Sequence, residues 1–197
     1  MHCNGMTSIE REQYLIGNIP YRLQSLRFCY IVCEMNSTPH PDYGDELAVG
    51  EFIHFDGNNR LLINSIIESG LVYCRVLLEF LGIKRNRNTG KLCTANSKDS
   101  TDVCISDFGL PLVPVAEATS GFCYATSSEV NSALLQVIET ANKTVAHLTS
   151  GPTEPGTFPS LQLACRIVID LVIRHLYLPL GEQCIVSSIS EDCVGPK

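Results

Sequence analysis

The stretch TSSEVNSALLQVIETANKTVAHL, residues 126–148, decides the fold. Thr126 and Glu129 stand at the spacing of a capping box, in which hydroxyl and carboxylate each satisfy a backbone N–H at a helix start. Val130, Leu134, Val137, Ile138, Ala141, Val145 and Leu148 then recur every three or four residues, the period of one helix face packed on a core. The spacing predicts a helix to about residue 150, where Ser150, Gly151 and Pro152 end it.

Moving outward, the same pattern returns. Thr7 and Glu10 form a second potential capping box; Pro20 interrupts that helix or opens another, and Leu23, Leu26, Tyr30 and Cys33 continue at helical spacing. Residues 36–44 read as a loop, and Leu47 to Phe55 as either a short strand or an irregular segment. Asn58 or Asn59 caps a helix from about Arg60 to Leu81, with Leu62, Ile66, Tyr73, Leu77 and Phe80 on its apolar side and Gly82 ending it. Lys84 to Gly90 is basic and turn-like, and the chain stays rich in Ser, Thr, Asn, Gly and Pro as far as Ala125. Such a long connection is functional or mobile more often than incidental. A last helix is predicted from about Ser160 to Leu178, stopping at Pro179, with an irregular tail after Gly181. The expected architecture is all-α. It is a four- to five-helix bundle in a single domain over residues 1–197, with an irregular insertion at about 84–125 and an irregular tail at about 181–197.

Composition agrees. A chain of 197 residues supports one substantial core. With 45% hydrophobic and only 18% charged residues, several helices must be covered on more than one side, by each other or by a second subunit. The net charge of -7 excludes a broad basic surface for nucleic acid, though not a local arginine cluster. No stretch reaches the roughly 18 apolar residues of a membrane span, and residues 1–20 lack the apolar segment of a signal peptide. A soluble, cytoplasmic protein with no membrane association is the expectation. The 10 cysteines are scattered without a Cys-x-x-Cys pair. Cys29, Cys74 and Cys165 fall in apolar patterns and read as reduced, buried thiols. Cys29 and Cys33 share a helical spacing, but only His40 lies near them in sequence, so neither a metal nor a cofactor is expected. Phosphate-loop, nucleophile-elbow, dinucleotide and metalloprotease motifs are missing from the sequence.

Asn142 and His147 carry the chemistry that remains. A histidine titrates near neutrality and moves protons, and an amide orients a phosphate or carbonyl. Five residues apart, they stand roughly 140° apart on an ideal helix. They converge only if the helix frays before His147 or a second subunit completes the site. Otherwise His147 meets the helix dipole and Asn142 bonds a loop. Glu68, Val72, Arg75 and Glu79 lie along one face of the 60–81 helix. Arg75 either forms a plain ion pair there or is held by these carboxylates and aimed at an anion, since its planar fork suits phosphate. In the last helix Gln162, Arg166, Asp170 and Arg174 recur every four residues. They face water, or border the same cleft if this helix packs beside the His147 helix. His175 reads as structural.

The segments Asn64–Gly82 and Thr140–Thr149, and more weakly the final helix, resemble the HEPN-like helical bundles, a superfamily with a bacterial branch that includes ribonucleases. The resemblance implies a helical domain that dimerises and cleaves RNA without a metal, in RNA processing or toxin–antitoxin stress defence. The family motif is an arginine, a polar residue, four to six residues, then a histidine. Asn142 and His147 match the polar residue and the histidine, while Ala141 stands in the arginine position. The resemblance therefore implies catalytic roles for His147 and Asn142 and substrate-binding roles for Arg75, Glu68 and Arg166, with Arg75 or Arg166 replacing the missing arginine. It implies no cofactor, a second copy of the chain as partner, and RNA or an antitoxin protein as further partners. Ala141 and the acidic charge favour the alternative, a catalytically silent bundle that binds a partner protein, a nucleotide or a small ligand.

Overall fold

The computed structural model describes residues 6–37, 46–49, 53–56, 59–95, 102–145, 157–187 and 189. At the start, Thr7 caps α1 (Ser8–Gln13) through the expected box: its Oγ1 accepts the Glu10 N–H at 3.3 Å, and Glu10 Oε2 accepts the Thr7 N–H at 2.9 Å. Pro20 does not interrupt the rod; it stands in the first turn of a second helix. A π-turn over Tyr14–Asn18 joins α1 to α2 (Ile19–Ser37), with the Ile19 N–H reaching five residues back to Tyr14. Proline has no N–H for the carbonyl four residues before it, and the widened turn absorbs that loss.

The segment the sequence left open is a hairpin, β1 (Glu46–Val49) antiparallel to β2 (Ile53–Asp56). Then comes α3 (Asn59–Leu81), which Gly82 ends with φ +89°. At once the chain forms a second hairpin, β3 (Ile83–Arg85) with β4 (Leu92–Thr94). The basic turn is therefore held between paired strands. Asn86 organises it: its Oδ1 accepts the N–H groups of Asn88 at 2.9 Å and Thr89 at 3.1 Å, and its carbonyl accepts that of Gly90 at 2.9 Å. The rest of the insertion carries a 3-10 turn at Ile105–Phe108 and the short α4 (Val115–Ala118).

Thr126 caps α5 (Ser127–Thr140) by the predicted box, with Thr126 Oγ1 accepting the Glu129 N–H at 3.3 Å. A π-turn over Ala141–Val145 follows directly. The final rod is α6 (Thr157–Val172), a π-turn over Ile173–Tyr177, and α7 (Leu178–Leu180). It passes through Pro179, where the sequence predicts a stop, and ends at Gly181 with φ +68°. The cause is the one met at Pro20: a π-turn just before the proline accommodates the missing N–H.

Among the described residues, four rods make the bundle. Helices α3 and α6 pack on each other and on both α2 and α5. Leu23 and Leu26 of α2, Leu71, Leu77 and Leu78 of α3, Leu134 of α5, and Leu161, Val168 and Val172 of α6 are fully buried between them. Among the described residues this is an all-α helical bundle with two short antiparallel strand pairs. Gly70 sets the approach of α2 to α3, since a Cβ there would lie 2.9 Å from the Cys29 Cβ. Tyr177 pins the last rod to the first by donating its hydroxyl to the Leu15 carbonyl at 2.8 Å.

Cys29, Cys33, Cys74 and Cys165 are buried thiols, and the Sγ atoms of Cys74 and Cys165 stand 3.8 Å apart. Burial raises the Cys165 thiol well above its usual range, so it stays neutral. Not every cysteine is reduced, however: Cys123, exposed on the insertion, is disulfide-bonded. The spacing of the cysteines gave no sign of this pairing.

Candidate anion site

The end of α3, the β3–β4 hairpin and the end of α5 enclose a cavity of about 210 Å³. Arg75 and Glu79 reach it from α3, Lys84, Arg85 and Arg87 from the hairpin, and Asn142 from the π-turn after α5. Ile83 and Ile138 supply its apolar wall. Local folding explains the gathering. Gly82 has the positive φ that turns the chain back on α3, so the strand that follows places its cations beside the helix's last turns. The Asn86-centred turn then holds Arg87 at the exposed tip.

Ion pairs hold two of these four cations. Arg75 Nε donates to Glu79 Oε1 at 3.2 Å, one helical turn away, with both side chains partly exposed. Arg85 pairs with Glu139 of α5 at 2.6 Å, tying the hairpin to that helix. Arg85 Nε is buried and has no hydrogen-bond partner among the described residues, and an orphan donor beside a cavity calls for an acceptor. Four cations against one carboxylate line a space on a chain of net charge -7. The chemistry such a site offers is binding of an anion, phosphate above all, through arginine forks and an amide.

Of the residues singled out from the sequence, Asn142 and Arg75 come together here. His147 lies outside the described residues. Glu68, two turns before Arg75 on α3, is exposed and does not line the cavity. Arg166 stands elsewhere. The polar line of α6 does not simply face water, because the Phe122–Tyr124 segment lies on it. The Arg166 guanidinium is 3.7 Å from the centroid of the Tyr124 ring, and Tyr124 donates its hydroxyl to Asp170 at 2.7 Å. Arg174 donates to the carbonyls of Ser120 at 3.3 Å and Gly121 at 3.1 Å while lying 4.8 Å from the centre of the Phe122 ring. Burial, then the bond to Asp170, pushes the Tyr124 phenol far above its usual range. These contacts fasten the insertion to the bundle.

Lys84, Arg85 and Arg87 are the site residues that the sequence reading passed over. Their signal was present, as the densest run of basic residues in an acidic chain, but it read as a turn. The 140° separation of Asn142 and His147 also loses its basis, since Asn142 sits in a π-turn rather than an ideal helix. Among the described residues no group of His, Cys, Asp and Glu is arranged to hold a metal ion, and no helix is long and apolar enough to cross a membrane. Compared with known proteins, the chain matches no family model, no curated protein and no solved structure.

Proposed function

We propose that this chain is a HEPN-type helical protein that cleaves RNA without a metal, in RNA processing or toxin–antitoxin stress defence. One observation carries the reading: Asn142, the polar residue of the family motif, shares a cavity with Arg75, Lys84, Arg85 and Arg87. Ala141, in the arginine position of that motif, is only 3% exposed and offers a phosphate nothing. Arg75 supplies the charge instead, since it lines the cavity that Arg166 does not reach. In this reading His147 takes the proton from the ribose 2′-hydroxyl, the 2′-oxygen attacks phosphorus to form a 2′,3′-cyclic phosphate, and the 5′-oxygen leaves with the proton that His147 gives back. The arginines stabilise charge on the phosphoryl oxygens. A second copy of the chain completes the site in the family's usual manner. The exposed apolar residues Tyr21, Phe28 and Ile31 on α2 give such a dimer a face to bury.

The test is cleavage of total tRNA and mRNA in EDTA by the wild-type protein, His147→Ala and Arg75→Ala. Loss of one oxyanion-stabilising donor or of the proton shuttle costs about 100-fold or more in rate. Cleavage by the wild type, lost in His147→Ala and cut about 100-fold in Arg75→Ala, is expected. No cleavage by folded wild-type protein at high concentration would leave the second reading, a catalytically silent bundle that binds an anionic partner or nucleotide. The burial of Ala141 is the observation that favours it.

A further inference from the structure

We infer that the larger cavity beside the basic one is a base-binding subsite, so that the two together take one nucleotide of single-stranded RNA. This rests on the reading above, in which the basic cavity takes an RNA phosphate. The second cavity has a volume of about 490 Å³ and lies between α2, α3 and the insertion. Glu79 and Lys84 line both spaces, so the two adjoin across the last turn of α3. Their chemistry differs sharply. One is cationic. The other is walled by Tyr14, Val76 and Phe80, with Arg22, Asp102 and Ser106 at its polar side. That asymmetry matches a nucleotide, which has an anionic phosphate at one end and a flat π-system at the other.

The aromatic walls are held in place. Tyr14 and Phe80 each stand edge-on to Phe108 of the insertion, with ring centroids 6.5 Å and 5.8 Å away. A preorganised ring costs little to stack on, and base–aromatic stacking tolerates any sequence. Glu79 gives Oε1 to Arg75, and its second oxygen suits the N–H donors of a base edge. The volume falls within the range of small-ligand sites and accommodates a base with its ribose. A duplex is the wrong occupant. Its bases are stacked away from such a cavity, whereas a single strand or loop can splay one out, and a chain of net charge -7 has no broad basic track for two backbones.

The test is calorimetric binding of adenosine 3′-monophosphate and of inorganic phosphate to the full chain and three variants. Val76 lines the larger cavity and is 38% exposed, so Val76→Trp fills that space from the surface. Tyr14→Leu removes a ring while keeping apolar volume. Arg87→Glu reverses a charge in the basic cavity. The nucleotide should bind the wild type on the order of tenfold more tightly than phosphate. Val76→Trp and Tyr14→Leu should each abolish that advantage, and Arg87→Glu should weaken both ligands. Equal affinity for nucleotide and phosphate, an advantage that survives both cavity variants, or no binding of either ligand overturns the inference. The cleavage reading fails separately. If RNA is cut in a His147-dependent way while the two variants keep the nucleotide advantage, only the base subsite is wrong. If they abolish it and no RNA is cut, only the cleavage reading is wrong.

Discussion

Single residues set two properties of this molecule that a helical pattern does not display. Gly70 lets α2 and α3 touch, and a methyl group there meets the Cys29 side chain at less than contact distance. Overpacking of this kind costs about 1–3 kcal/mol. Gly70→Ala should therefore lower the melting temperature by several degrees, on the order of 2–4 °C per kcal/mol for a chain of this size. An unchanged melting curve would show that the helices separate freely. His175 sets the other property. Burial depresses its pKa, Glu117 opposes that shift and Arg174 adds to it, and its Nε2 is buried without a partner among the described residues. A depressed histidine favours the folded state in its neutral form. The stability it contributes is complete above its unfolded pKa of about 6.5, and is lost as pH falls through that value toward the folded one. Thermal melts between about pH 7.5 and 5.5 should thus fall less steeply for His175→Gln than for the wild type. Equal slopes would place the proton elsewhere.

At the scale of elements, starts and stops follow different rules. Both capping boxes form as their sequence spacing predicts, because a Ser/Thr–Glu pair acts within one turn and needs nothing distant. Thr126→Ala should cost about 1 kcal/mol, read as a lower urea midpoint with an unchanged slope; no shift would mean that packing against α6 alone fixes the start of α5. The prolines behave less simply. Pro20 and Pro179 each lie inside a continuous rod, just after a π-turn, so the steric rule is obeyed but the helix survives. Gly82 and Gly181 do end helices, with the positive φ that side chains avoid. The basic hairpin is the element that makes the site. Its pairing is fixed by Ile83 and Leu92, both buried, at its two ends.

For the whole molecule, the open matter is what covers α2. Tyr21, Phe28 and Ile31 share one side of that helix, and Phe28 is 46% exposed. In the proposed dimer this side is buried, and covering the exposed half of such a ring on association contributes about 1 kcal/mol. Wild-type protein should sediment as a dimer and Phe28→Glu as a folded monomer. A monomeric wild type would remove the second copy from the proposed site. The insertion belongs to the whole molecule as well, since Phe122 and Tyr124 lie across Arg174 and Arg166 and close the outer side of α6.

Apolar periodicity, capping boxes and helix-ending glycines by themselves determined that this chain is a helical bundle, and nearly where its helices lie, because those signals act over one or two turns. Asn142 and Arg75 were legible on other grounds, the chemistry of an amide and of a planar guanidinium. Only the tertiary structure decided that these two residues share a cavity with Lys84, Arg85 and Arg87, and that Arg166 stacks on Tyr124 instead. Those partners are distant in sequence, and their meeting depends on how Gly82 redirects the chain, how a hairpin folds back, and how a π-turn rotates the end of α5. No local pattern encodes such contacts; they follow from packing the rods against one another.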